Sequence, residues 1–184
     1  MRTQDADILI VPGQAGLIGD HWLERWHRQL KTARLVEQEN WLEPQLESWC
    51  SNLIKAVDAA TRPVVLVGHQ CGVLTIAHAA SAFTPGKVAG AYLVAPVNAD
   101  DDKTTPLAMQ CFGPVPKNRL PFPSKVIASR SNPLCKYAKA RKMAEAWGSE
   151  VQDAGDVGTI DQASGHGPWP EGLMSFGAFL KKLG

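Results

Sequence analysis

The chain has 184 residues, of which 45% are hydrophobic, and its 19 basic and 18 acidic residues leave a net charge of +1. This length and this hydrophobic share predict one domain, residues 1–184, around one core. The balanced charge, without any run of five like charges, argues against nucleic acid or an anionic membrane surface as a partner.

Short apolar runs alternate along the chain with segments of helical period, which is the pattern of β-α-β units around a mostly parallel sheet. In chain order, the predicted strands are 7–11, 33–36, 64–67, 88–94, 124–128 and 150–153. The predicted helices are 20–30, 45–60, 71–82, 136–147 and 171–183. This order predicts an α/β fold: a three-layer sandwich with about six strands and helices on both faces of the sheet.

The longest apolar runs, 8–11 and 64–67, are too short to span a bilayer, and the opening MRTQDAD lacks the apolar region of a signal peptide. We therefore expect a cytoplasmic protein. The four cysteines show no Cys-x-x-Cys spacing, which predicts free thiols and neither a disulfide framework nor a zinc site. We expect no metal and no cofactor.

The longest irregular segment, 95–123, carries three consecutive aspartates and six prolines between two predicted strands. A loop of this length within a compact domain is usually functional or mobile. It could cover a cleft, or it could be a solvated connection, and both interpretations stay open at this point.

The pentapeptide GHQCG, residues 68–72, lies between the predicted strand 64–67 and the predicted helix 71–82. A nucleophile elbow, Gly-x-Ser-x-Gly, has this place and shape, and its small flanking residues accommodate a strained central residue. In this chain the central residue is Gln70. A glutamine amide cannot replace a hydroxyl that a base activates, so we expect no acyl-enzyme at this position.

Six stretches in the same order extend this likeness over nearly the whole chain: ILIVPG, GDHWLERW, VVLVGHQCG, VAGAYLVAP, VIASRSNPLC and GPWPEG. On these stretches the chain resembles the small serine hydrolases similar to retinoblastoma-binding protein 9 and their compact bacterial relatives. The resemblance implies the α/β-hydrolase fold.

Members of this family usually carry Gly-His-Ser at the elbow, an Asp before the proline after the fifth strand, and Gly-His-Ile-Asn after the sixth. The corresponding places here read GHQ, SNP and GTID. The resemblance therefore implies that the nucleophile, acid and base positions hold Gln70, Asn132 and Thr159. Asn132 carries no charge to stabilise an imidazolium, and Thr159 has no group that titrates near neutral pH.

The resemblance also implies a region that stabilises an oxyanion. Its donors would be the backbone amides of Cys71 and of Gln14, in the loop after Gly13, with His69 as a supporting residue. Backbone amides survive side-chain changes, so this region could still bind a carbonyl or an anionic group.

Two residues and a water could restore catalysis. Cys71 lies at a helix N-terminus, where the helix dipole favours a thiolate, although a buried thiol is the simpler interpretation. His166 could act as a base, although the GPWPEG segment after it favours a structural role. A water oriented by Gln70 would need a very reactive substrate, because no base assists it.

The sequence thus predicts a non-catalytic binding protein whose partner is a small-molecule ligand or another protein. The alternative is an active hydrolase of small esters or amides that uses Cys71 or a bound water. The oligomeric state stays open.

Overall fold

The computed structural model describes residues 1–17 and 19–184 of the chain. The strands are β1 (Asp7–Val11), β2 (Ala33–Leu35), β3 (Val64–His69), β4 (Val88–Val94), β5 (Ser124–Ala128) and β6 (Glu150–Asp153). The helices are α1 (Trp22–Gln29), α2 (Leu46–Asp58), α3 (Cys71–Ala79), α4 (Tyr137–Trp147) and α5 (Pro170–Lys182). Short 3-10 helices cover Thr3–Asp5, Ala80–Ala82 and Leu107–Phe112.

The six strands form one sheet in the order β2-β1-β3-β4-β5-β6, and each neighbouring pair is parallel. The predicted α/β fold with about six strands is confirmed. The central strands β1 and β3 are buried along their whole length, which explains their apolar runs 8–11 and 64–67. The edge strands β2 and β6 are short and carry charged residues, which limits pairing with another chain.

Side chains of the central strands alternate between two cores, one on each face of the sheet. Leu9 and Leu66 pack on the face covered by α2, α3 and α4, whereas Ile8 and Val65 pack on the face covered by α1 and α5. Because successive side chains of a strand point to opposite faces of the sheet, each strand contributes side chains to both cores. The predicted three-layer arrangement is therefore present.

The segment 95–123 packs against the body of the fold. Its 3-10 helix buries Phe112, whose ring lies 5.5 Å from the ring of Trp49 in α2. The Nε2 atom of His78 in α3 lies 2.8 Å from the Phe112 carbonyl oxygen. At Phe112 the segment is therefore packed, unlike the solvated connection that the sequence left open. That it covers a cleft stays a prediction.

Within the described ranges, none of the helices combines the length and the apolar character needed to cross a membrane. The carboxyl ends of β1, β3, β4 and β5 meet along one edge of the sheet, and the loops at this edge carry most of the residues considered next. Open α/β sheets bind their ligands at this edge.

Candidate functional site

The turn between β3 and α3 holds Gln70 in a backbone conformation that residues with a side chain rarely adopt, with φ at 50° and ψ at −116°. The neighbours of Gln70 must be small for this turn to form. A Cβ atom on Gly72 would overlap the Val11 carbonyl oxygen, and one on Gly68 would lie 2.7 Å from Cδ1 of Ile76. The close approach of β1, β3 and α3 thus fixes the backbone of this turn.

A cavity of about 270 Å³ opens beside Gln70. Its walls come from the loop after β1, the start of α1, the β3–α3 turn and the loop after β6. The lining residues are Gly13, Gln14, Ala15, Gly16, His21, His69, Gln70, Asp161, Gln162 and Ala163.

Two larger cavities, of about 660 and 600 Å³, lie away from this turn. The first is lined by Ser124, Glu150 and Lys182, at the amino ends of β5 and β6 and the end of α5. The second lies between α3 and the segment 114–121. Because ligands of open α/β sheets bind at the carboxyl ends of the strands, we place the candidate site at the smaller cavity.

The side chain of Gln70 bends over Gly13. A Cβ atom on Gly13 would lie 2.9 Å from both Cβ and Oε1 of Gln70. The loop beyond Gly13 is hydrogen-bonded to the segment before α2, because Gln14 Nε2 donates to the Leu42 carbonyl at 2.9 Å. The amide of Gln70 therefore fills the space above Gly13 on the floor of the cavity.

Asn132 follows β5, and both the nitrogen and the oxygen of its buried side-chain amide are hydrogen-bonded to the backbone. Its Nδ2 donates to the Pro96 carbonyl at 3.1 Å, and its Oδ1 accepts from the Leu134 amide at 2.9 Å. The side chain thereby ties the loop after β5 to the loop after β4.

The loop after β6 places a carboxylate in the cavity wall. Asp161 Oδ2 accepts from the Thr159 hydroxyl at 2.6 Å, and Oδ1 accepts from the amide and the hydroxyl of Ser164 at 2.9 and 3.0 Å. Burial raises the pKa of Asp161, but these hydrogen bonds outweigh it and hold the pKa below its usual value. Asp161 is therefore ionised at neutral pH.

Two buried histidines lie against each other at the cavity, with ring centroids 5.0 Å apart. Burial lowers the pKa of His69 to about 4, although the Thr159 carbonyl, 2.8 Å from its Nε2, opposes this shift. Burial and the nearby His69 lower the pKa of His21 to about 3. Both rings are neutral at pH 7. His21 also caps α1, because its Nδ1 accepts from the Leu23 amide at 3.1 Å.

The Cys71 side chain is fully buried in the core between α3 and the sheet. Burial raises the pKa of its thiol to about 12, and the nearby backbone amide of Gln14 only partly opposes this. His166 has a backbone role, since its carbonyl accepts from the Trp22 amide at 3.3 Å and its amide donates to the Asp161 carbonyl at 2.8 Å.

The cavity brings together four of the residues that the sequence singled out, namely Gly13, Gln14, His69 and Gln70. As far as residues 1–17 and 19–184 show, its lining does not include the side chains of Asn132, Thr159, Cys71 or His166. Thr159 instead reaches the site through its contacts with His69 and Asp161.

Sequence reasoning missed Asp161 and His21 as residues of the site. His21 precedes the helix that begins at Trp22, in the position of an N-cap, which is a signal for a backbone role and not for a cavity. Asp161 is two residues from Thr159, and an ionisable side chain so close to an expected site residue was the available signal.

In the described part of the chain, no group of three or more His, Cys, Asp or Glu side chains is placed to hold a metal ion.

Comparisons with known proteins agree with this architecture. A model of the serine hydrolase family matches residues 8–178. A YdeN-like hydrolase of Pectobacterium atrosepticum superposes with a TM-score of 0.87 at 29% identity, over 98% of this chain and 94% of the other.

The ydeN gene product of Bacillus subtilis superposes with a TM-score of 0.79 at 16% identity, over 96% of this chain and 99% of the other. The esterase RhEst1 of Rhodococcus sp. superposes with a TM-score of 0.69 at 16% identity, over 99% of this chain and 92% of the other. These two likenesses establish the fold alone. No curated protein matches the sequence.

Proposed function

This chain belongs to the serine hydrolase family, with the α/β-hydrolase fold, and we propose that it binds a ligand at the elbow cavity without hydrolysing it. The likeness to retinoblastoma-binding protein 9, and the assignment of Gln70, Asn132 and Thr159 to the three catalytic positions, are parts of this proposal. The observation that carries it is Gln70 on the strained turn between β3 and α3.

The residue on that turn is the one that a serine hydrolase uses to attack a carbonyl carbon. The nitrogen lone pair of a glutamine amide is delocalised, so Gln70 cannot form a covalent acyl intermediate. Its oxygen also lies over Gly13, where a reacting carbonyl would have to enter. Both features favour binding of a ligand in the cavity over its hydrolysis there.

The other two positions support the same conclusion. The Nδ2 and Oδ1 atoms of Asn132 bond to the Pro96 and Leu134 backbone, and its neutral amide carries no charge to stabilise a protonated base. The Thr159 hydroxyl donates to Asp161 and cannot shuttle a proton at neutral pH.

The alternative in which Cys71 attacks a substrate has little support. Its side chain is buried outside the cavity lining, and a thiol with a pKa of about 12 holds almost no thiolate at pH 7. A water oriented by Gln70 would lack a strong base, because the pKa values of His21 and His69 are only about 3 and 4, and that of Asp161 lies below its usual value. Binding and backbone donors alone could leave slow turnover, roughly 10³- to 10⁴-fold above water.

The test compares the native protein with the variant Gln70→Ser, Asn132→Asp, Thr159→His on short acyl esters. We expect turnover to rise by at least about 10²-fold in the triple variant, because nucleophile, acid and base are then all present. The matched control is the double variant Asn132→Asp, Thr159→His, which lacks a nucleophile and stays at the native level. Native turnover at the level of an active triple variant would contradict the proposal.

A further inference from the structure

The cavity beside Gln70 has an uneven distribution of charge. Its one ionised lining group, as far as the structure describes the chain, is the Asp161 carboxylate, and no lysine or arginine lines it. The two histidines in its wall are neutral at pH 7. The cavity is therefore net negative.

Asp161 differs from other carboxylates of the chain in its lack of a basic partner among the described residues. Asp7, Asp100 and Asp153 each lie within 4.0 Å of a lysine or arginine nitrogen. No such partner is found for Asp161 among the described residues, and its three hydrogen bonds come from Thr159 and Ser164.

The two Asp161 oxygens are not equally used. Oδ1 accepts two hydrogen bonds, whereas Oδ2 accepts one, from Thr159. A carboxylate offers about four acceptor sites, so Oδ2 keeps one for a donor in the cavity. A charged donor satisfies it best, because charge-assisted hydrogen bonds are about twice as strong as neutral ones.

His21 supplies a complementary donor. Its side chain is only 7% exposed and lines the cavity, and its Nδ1 is occupied by the Leu23 amide. The neutral ring therefore carries its proton on Nε2. No acceptor for this proton is found in the described part of the chain. Because His21 lines the cavity and its Nε2 is not among the fully buried unpaired atoms, this donor is accessible to a ligand.

We propose that the cavity binds a small molecule by its primary ammonium group, which Asp161 holds, and by a hydrogen-bond acceptor of the same molecule, which His21 Nε2 holds. This assignment rests on the proposed binding function of the same cavity and names its ligand class. The sequence expectation was a region around Gln14 and Cys71 that binds a carbonyl or an anionic group, and a ligand held by its ammonium group departs from the anionic part of it. The volume of about 270 Å³ limits the ligand to roughly the space of nine water molecules at ~30 Å³ each.

Three probes of similar size test the assignment: 3-aminopropanamide, 3-hydroxypropanamide and succinamate. Each carries a terminal amide, and they differ in an ammonium, a hydroxyl and a carboxylate group at the other end. None contains an ester, so the ester turnover that tests the proposed function does not enter the binding measurement. Binding is followed by ¹⁵N NMR titration of the backbone amide of Gly13 and the side-chain amide of Gln70.

We expect 3-aminopropanamide to bind at least tenfold more tightly than either other probe. Asp161→Asn removes this preference, because the amide keeps an acceptor for Ser164 but loses the charge. The matched control Asp153→Asn, outside the cavity lining, keeps it. Ala163→Lys leaves the hydrogen bonds of Asp161 in place, adds a cation to the cavity wall, and shifts the preference toward succinamate.

Succinamate binding as tightly as 3-aminopropanamide, no binding of any probe, or an unchanged preference in Asp161→Asn would overturn the inference. Triglycinamide separates a small amine from the amino end of a peptide: we expect it to bind more weakly, and tighter binding would overturn the small-molecule assignment. Native ester turnover at the level of an active triple variant would contradict the proposed function alone, whereas loss of the ammonium preference contradicts this inference alone.

Discussion

His69 and Thr159 are joined by a hydrogen bond of 2.8 Å between the imidazole Nε2 and the backbone carbonyl of Thr159. Because a carbonyl can only accept, the ring carries its proton on Nε2. The contact ties the end of β3 to the loop after β6 through the backbone of residue 159, not through its side chain. Substitution of Thr159 therefore leaves this link intact. It removes only the hydroxyl that donates to Asp161.

The buried histidines make the stability of the protein depend on pH. The pKa values of His21 and His69 are lowered in the folded state to about 3 and 4, so below pH 6.5 the unfolded chain binds more protons than the native one. The stability that the two neutral rings contribute is present in full above pH 6.5 and is lost as the pH falls toward 4. Each histidine contributes about 1.4 kcal/mol per pH unit in this window.

We therefore expect the free energy of unfolding to fall by about 2 kcal/mol between pH 6 and pH 5, measured by urea denaturation. His69→Gln roughly halves this fall in the free energy of unfolding. His27→Gln, at a half-exposed position in α1, serves as the control and leaves it unchanged. A free energy of unfolding that stays flat over this range would show that the two rings are not held neutral.

Much of the fold follows from the sequence because its central strands are buried on both faces. The run 64–67 identifies β3, but the strand continues through Gly68 and His69, because these residues pair with Leu93 and Val94 of β4. A glycine and a histidine carry no strand signal of their own. The extension depends on the neighbouring strand, which local sequence does not encode.

The 3-10 helix Leu107–Phe112 was not predicted, for a similar reason. Its position depends on the packing of Phe112 against Trp49 and on the bond between His78 and the Phe112 carbonyl. The cavity is harder still to foresee, because Asp161 and His21 are far apart in the chain and meet only when the loop after β6 folds back beside α1. Gln70, by contrast, could be placed from its flanking glycines together with the predicted strand before it and the predicted helix after it.

Asn132→Asp alone lowers stability. The Nδ2 atom of Asn132 donates to the Pro96 carbonyl at 3.1 Å, and an ionised carboxylate would place an acceptor against that acceptor. We expect a loss of about 1 to 3 kcal/mol at pH 7.5 by urea denaturation. The control Asn118→Asp lies on the surface and changes stability little. Equal stability of the two variants would mean that the Asn132 side chain is not bonded as described.

Two glycines in helices respond to alanine in opposite directions. A Cβ on Gly72 would lie 2.7 Å from the Pro12 carbonyl oxygen, whereas one on Gly177 in α5 would meet no atom within 4 Å. We expect Gly72→Ala to lower the free energy of unfolding by about 3 kcal/mol and Gly177→Ala to raise it by about 1 kcal/mol. Thermal denaturation of both variants checks the pair. A well-tolerated Gly72→Ala would refute the close contact of α3 with β1.

Cysteine alkylation distinguishes the buried thiols from the exposed one. Burial raises the pKa of all four thiols, to about 12 for Cys71 and Cys135 and to about 11 for Cys50, and Cys111 is the exposed residue among them. Iodoacetamide at pH 7.5 should modify Cys111 in the native protein and all four cysteines in urea, as read by peptide mass mapping. Rapid labelling of native Cys71 would make a thiol nucleophile credible again.

The central claim is that Gln70 leaves the elbow without a nucleophile, and intact-mass spectrometry after treatment with a fluorophosphonate probe tests it most directly. We predict no mass increase for the native protein, and one adduct per chain for the variant Gln70→Ser, Asn132→Asp, Thr159→His under the same conditions. A stoichiometric adduct on the native protein would contradict the account.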